Sequence, residues 1–172
     1  MPEKSAAKLV CLGTLLAIAM AGCSRSDIDS AAYQQQVAEN AREGKVFLAE
    51  NTRKDGVITR PSGLQYRILR AGNGNQPLHT DQVTVHYRGT HLNGSEFDSS
   101  YRRGKPAVFY LDKVIPGWTE ALQLMREGGK WQLFIPHRLA YGSRGAGRAI
   151  APNETLIFEV ELLEVKGSGV SR

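Results

Sequence analysis

The chain has 172 residues and a formal net charge of +5, with 41% hydrophobic and 23% charged residues. That is room for one domain of about 100–150 residues with its own core, plus a flanking segment. The composition is that of a folded globular chain, and no Lys/Arg run is dense enough to track a phosphate backbone, so no nucleic-acid partner is expected.

The opening residues read as an export leader. Lys4 and Lys8 lead into an apolar run from Leu9 to Met20, which falls short of the roughly 20 apolar residues of a membrane-spanning helix. The run ends in Met20-Ala21-Gly22-Cys23, and two small residues directly before a Cys resemble the bacterial lipobox. Residues 1–23 are therefore expected to be a lipoprotein signal peptide, with Cys23 acylated and serving as the mature N-terminus. Plain signal-peptide cleavage beside an incidental Cys is the alternative. A buried acyl methylene contributes about 0.8 kcal/mol, so several chains on one Cys would hold the protein at a membrane. The expected location is the bacterial cell envelope, on the periplasmic side of a membrane or at the outer membrane. The other cysteine is Cys11, inside the leader. The mature chain would then carry no thiol and no disulfide, which excludes cysteine catalysis, zinc–thiolate sites and a disulfide scaffold.

From Asp27 to about Lys54 the pattern is helical, with Tyr33, Val37, Ala41, Gly44 and Leu48 on one weakly apolar stripe. Residues 24–57 thus read as a tether, flexible over 24–30, followed by a helical stem that stops before Gly56. A stripe containing Ala and Gly must pack on something, either the following domain or a second copy of itself in a homodimer.

Beyond Gly56 the period changes to two. Leu64–Leu69, Val83–Leu92, Ala107–Leu111, Lys130–Ile135 and Thr155–Val165 read as strands with one greasy face and one wet face. Asn93-Gly94 is a hairpin turn signal leading to Phe97. One helical stretch interrupts, from about Gly117 to Arg126, with Trp118, Leu122 and Met125 at helical spacing before Gly128-Gly129. The expected fold is α+β: a curved antiparallel five-stranded sheet, a half-barrel, wrapped over one short helix and preceded by the helical stem. The globular domain spans 58–166, and 167–172 form a flexible tail.

Five motifs stand in order across this domain: Val85-His86-Tyr87-Arg88-Gly89, Phe97-Asp98-Ser99-Ser100, Val114-Ile115-Pro116-Gly117-Trp118, Leu139-Ala140-Tyr141-Gly142 and Asn153-Glu154-Thr155-Leu156-Ile157-Phe158. Together they resemble the FKBP class of peptidyl-prolyl cis-trans isomerases. The leader and stem further resemble its bacterial macrophage infectivity potentiator branch. The resemblance implies an enzyme that turns X-Pro bonds in an apolar cup without cofactor, metal or covalent intermediate. It assigns Trp118 as the floor under the proline ring, with Tyr87, Phe109 and Phe158 as walls. It makes Val114 and Ile115 a rim whose Ile115 N–H binds a substrate carbonyl. It also implies that Tyr141 donates to the carbonyl before the proline, that Asp98 is the carboxylate beside Tyr87, and that Phe97 and Ile150 complete the cup. The implied partners are proline-containing polypeptide segments and macrolides such as rapamycin. The chain departs from the family pattern at Ala107, Ala146, Ala149 and Ala151, which thin the upper wall, while Arg144 and Arg148 add charge.

Other chemistries find no support. His79, His86, His91 and His137 show no metal-ligand spacing, and His86 and His91 read as surface strand residues. The Gly-rich stretch 142–147 lacks the Lys and Ser/Thr of a phosphate loop. The competing expectation is an envelope-anchored chaperone or host-interaction module that holds proline segments in the same cup with little turnover.

Overall fold

The computed structural model describes residues 25–167, with side chains from Ser30 onward; the lipobox and Cys23 lie outside this range. Helix α1 runs Arg25–Asn51, strands β1 to β5 span Val57–Thr59, Gln65–Arg70, Gln82–Thr90, Glu96–Ser99 and Ala107–Tyr110, and helix α2 is Pro116–Leu122. Strands β6 and β7 are Lys130–Ile135 and Leu156–Lys166. All strand pairs are antiparallel, in the order β1-β2-β6-β7-β3-β4, with β5 also on β3.

The expected α+β half-barrel is present, but among the described residues the sheet has seven strands where five were expected. The additions, β1 and β4, are three and four residues long, too short for an alternating pattern to stand out. The stem helix also differs at both ends. It already includes 25–30, read as a tether, and it stops at Asn51. Asn51 is 1% exposed and donates to Gln65 Oε1 at 2.9 Å, so the helix ends where its last side chain anchors on β2.

Helix α2 begins with Pro at its first turn, where a missing N–H costs nothing. It ends at Leu122, short of the expected Arg126, because the Leu124 and Met125 N–H groups bond the Ala121 and Leu122 carbonyls at 3.0 and 3.1 Å. That i→i−3 pattern tightens the last turn and stops an α-helix.

Alternation sorts the sheet into two faces. Val83, Val85, Tyr87, Trp131, Leu133, Val160 and Leu162 are buried under α2. On the opposite face, Phe134 meets Phe47 of α1 with ring centroids 5.8 Å apart. Gln65 Nε2 donates to the Leu48 carbonyl at 2.8 Å, and Asn40 Nδ2 donates to the Pro152 carbonyl at 2.9 Å. The stem's downstream half therefore packs on its own domain, while Tyr33 upstream is 54% exposed. Among the described residues no helix is long and apolar enough to cross a membrane.

Candidate active site

One strand organises the site. Strand β3 carries Tyr87 and pairs β7, β4 and β5, which carry Phe158, Phe97 with Asp98, and Phe109. Gly89 stands opposite both Phe158 and Asp98, and the register then shifts so that Thr90 faces Glu96. Phe97 is the extra residue of that irregularity, which lets Phe97 and Asp98 both reach the cavity although they are neighbours in sequence.

Trp118, in the first turn of α2, closes the bottom. Its ring meets Tyr87 at 5.2 Å and 84°, Phe109 at 5.6 Å and 89°, and Phe158 at 5.4 Å and 81°. Such edge-to-face packing suits ring quadrupoles and holds each ring in place. Trp118 is 4% exposed, yet it lines an open cavity of ≈ 290 Å³ with Tyr87, Phe97, Phe109, Val114, Ile115 and Phe158. Asp98, Lys113 and Tyr141 complete the lining.

Ile115 is the cap residue of α2, and its carbonyl accepts from the Trp118 and Thr119 N–H groups at 2.9 and 3.1 Å. Its own N–H belongs to the set that a helix start cannot satisfy internally.

The polar side of the cup is a three-residue network. The Tyr87 hydroxyl donates to Asp98 Oδ2, while Arg103 donates to Asp98 Oδ1 and, at 2.8 Å, to the Tyr87 hydroxyl. Burial alone would raise the Asp98 carboxyl. The hydrogen bonds from Tyr87 and Arg103, with the Arg103 charge, outweigh it and hold Asp98 below the usual carboxylate range. Burial, with the hydrogen bond to Asp98, raises the Tyr87 hydroxyl. Burial and the Asp98 charge likewise raise Tyr141. Asp98 is thus a satisfied anion and both phenols are neutral donors. None of the three is tuned toward neutrality, where a general acid or base works best.

Nine of the ten pocket residues expected from sequence come together around this cavity. Ile150 does not line it; it is 5% exposed and packs in the core, held by hydrogen bonds to Ala146 across the loop. Two residues escaped the sequence reading. Lys113 directly precedes the Val114 motif, and Arg103 lies five residues past Asp98 in a turn with no pattern of its own. His86 and His91 are not bare surface residues. His86 Nδ1 lies 2.9 Å from Ser100 Oγ and its ring stacks on Tyr101, while His91 Nδ1 lies 2.7 Å from Glu154. Among the described residues no group of His, Cys, Asp and Glu is arranged to hold a metal.

Fold and cup together define the class: an antiparallel half-barrel with an open aromatic niche built over the start of helix α2. The chain belongs to the FKBP-type peptidyl-prolyl cis-trans isomerase family, whose model matches residues 74–163. Residues 17–68 match the domain found amino-terminal to FKBP-type peptidyl-prolyl isomerases. The outer membrane protein MIP of Legionella longbeachae is 51% identical over 137 residues, covering 80% of this chain and 59% of that protein. The FKBP-type 22 kDa peptidyl-prolyl cis-trans isomerase of Escherichia coli is 53% identical over 135 residues, covering 78% and 66%. The crystal structure of FkpA from Escherichia coli superposes with a TM-score of 0.78 at 46% identity, covering 81% of this chain and 65% of that one. The chain spans 59% and 66% of the length of these two curated relatives.

Proposed function

We propose that this chain accelerates rotation about X-Pro bonds in exported protein clients. The observation that carries this reading is the Trp118 floor at the bottom of an open aromatic cavity. Resonance sets a rotation barrier of about 18–20 kcal/mol, and the uncatalysed step takes tens to hundreds of seconds. The twisted transition state has lost conjugation, so its carbonyl is less polar than that of the planar amide. A dry cup therefore disfavours the planar form more than the twisted one. Each 1.4 kcal/mol of that difference is about a tenfold gain in rate, so shape and desolvation suffice without a proton transfer.

In this reading Trp118 carries the proline ring, and Tyr87, Phe97, Phe109, Val114 and Phe158 exclude water. The Ile115 N–H and the Tyr141 hydroxyl each donate to a substrate carbonyl. Asp98 fixes the Tyr87 hydroxyl, and Arg103 fixes both. Macrolides such as rapamycin would compete for the same cup. The domain bounds stay as read from the sequence: leader 1–23, stem 24–57, isomerase 58–166 and tail 167–172. Cys23 anchors the protein in the envelope through acyl chains, facing the periplasm or lying at the outer membrane. The relative named as an outer membrane protein supports that placement. The exposed stretch 30–36 of α1 supports a homodimer through the stem.

Exchange NMR on short X-Pro peptides, with the full-length chain in mild detergent, tests the activity without a coupling protease. The expected result is acceleration that rapamycin abolishes. No acceleration, together with suppressed aggregation of an unfolded client, would instead establish the binding-module alternative. Replacing Tyr141 by Phe is expected to lower kcat/KM about two- to tenfold, the loss of one neutral hydrogen bond. Cys23→Ser should release the protein from membranes.

A further inference from the structure

Among the described residues, three strands have a neighbour on one side only: β1 pairs β2, and β4 and β5 each pair β3. An unpaired edge offers its N–H and C=O groups to another chain, and folded proteins usually blunt it. β4 is blunted by charge, with Glu96 and Asp98 paired to Arg102 and Arg103 of the turn that follows. β1 lies at the far end of the sheet and carries no cup residue. β5, Ala107–Tyr110, holds neither a charged residue nor a proline.

The register shows which of its backbone groups are free. Phe109 faces Val83 and Ala107 faces Val85, and the next odd residue, Leu111, donates its N–H to the Asp81 carbonyl at 3.0 Å. Antiparallel partners alternate between pairs that exchange hydrogen bonds and pairs that do not. The odd residues therefore turn their backbone groups to β3, and Val108 and Tyr110 turn theirs outward. The Tyr110 carbonyl caps the 3₁₀ turn Leu111–Lys113. That leaves the Val108 N–H and C=O and the Tyr110 N–H, which nothing among the described residues bonds. The two side chains are 54% and 53% exposed. Phe109, between them, points the other way into the cup, and Lys113, Val114 and Ile115 of the cup follow one turn later. The open edge thus belongs to a strand that walls the cup.

We propose that this edge receives the client as an added strand, so that a segment beside the proline pairs with Val108 and Tyr110. An antiparallel segment would answer both Val108 groups with one residue and the Tyr110 N–H with a carbonyl two residues away. Such a strand would run about 4.8 Å from β5. The proposal rests on the isomerase reading above and specifies its substrate class: prolines next to an extended stretch with free backbone amides.

The test uses exchange NMR with the full-length chain on a short X-Pro peptide and on two versions with an extended Thr/Val flank before or after the proline. One flanked peptide is expected to show a KM about three- to tenfold lower at unchanged kcat, the effect of one or two neutral hydrogen bonds. Its binding should slow exchange of the Val108 amide. N-methylating alternate flank residues should cancel the gain in one of the two registers. Tyr110→Pro suits the Tyr110 φ of −80° and removes only an outward N–H. It should lose part of the gain that Tyr110→Ala keeps, with the short peptide turned over as before. No gain from either flank, with the short peptide still turned over, would overturn the proposal and leave the isomerase reading standing. A gain that survives N-methylation in both registers would mean side-chain contact alone and would also overturn it. A Val108 amide already slow in the free protein, and faster on dilution, would show the edge closed by a second copy, and the proposal fails. No acceleration of the short peptide would sink both.

Discussion

Gly89 and Phe97 approach so closely that a Cβ on Gly89 would stand 2.5 Å from Phe97 Cζ, with Phe158 Cε1 at 2.8 Å. Neither ring can yield without opening the cup wall. Gly89→Ala is therefore expected to destabilise the fold by about 1–3 kcal/mol, as overpacking does, and to raise KM for proline peptides. Urea midpoints and peptide kinetics check the two effects separately. An unchanged KM would show that the rings relax elsewhere.

The Asp98 network makes a signed prediction for pH. Asp98 is held below the usual carboxylate range by Tyr87 and Arg103. Its folded value is lower than its unfolded one, so its contribution to stability is full above the unfolded value of about 3.9 and is lost as pH falls through the folded value. Thermal melts of the parent chain and Asp98→Asn should differ by a constant amount near neutrality and converge in acid. A difference that does not change on acidification would refute the assigned pairing. At neutral pH the variant should turn over several-fold more slowly without losing activity outright.

Trp118 joins folding and binding in one side chain. Removing a buried Trp costs about 3–5 kcal/mol, so Trp118→Ala should lower both the melting temperature and the affinity for peptide. The indole Nε1 has no hydrogen-bond partner among the described residues, so Trp118→Phe sacrifices no such bond. That variant should fold, with weakened binding. Circular dichroism melts read the first effect and peptide titration the second.

Gly44 reverses the usual helix rule. Replacing a helix Gly by Ala ordinarily gains about 1 kcal/mol. Here an added Cβ would stand 2.2 Å from Thr155 Oγ1, where α1 lies against the start of β7. Gly44→Ala should therefore loosen the stem, seen as faster amide exchange along residues 40–51, and Thr155→Ala should partly restore protection. A more protected stem in Gly44→Ala would mean that the helix is not docked here.

Much of the cup was legible because its residues sit in short contiguous motifs whose order survives folding. Val114, Ile115 and Trp118 are neighbours on one cap and turn, and Phe97 and Asp98 are adjacent. Arg103 was not legible. Its two partners lie on different strands, and a lone Arg in a turn resembles any solvated cation. Ile150 shows the opposite ambiguity: an apolar residue in this loop fits core and cup equally well in sequence, and the Ala146 bridge sets it among the core residues. The histidines show the same limit, since partners such as Ser100 and Glu154 lie 14 and 63 residues away.

Local chemistry along the chain determined the periodicities, the turn at Asn93-Gly94, the start of α2 at Pro116 and the set of rings available to build a niche. Those features depend on each residue and its near neighbours. Only the tertiary structure decided that β3 carries three partner strands, that Phe97 is thrown out of register, and that Arg103 closes on Tyr87 and Asp98. It also decided that half the stem lies on the back of its own sheet. Such choices depend on pairings across tens of residues, where loop closure, ring packing and burial are settled together, and none has a signature in the neighbouring sequence.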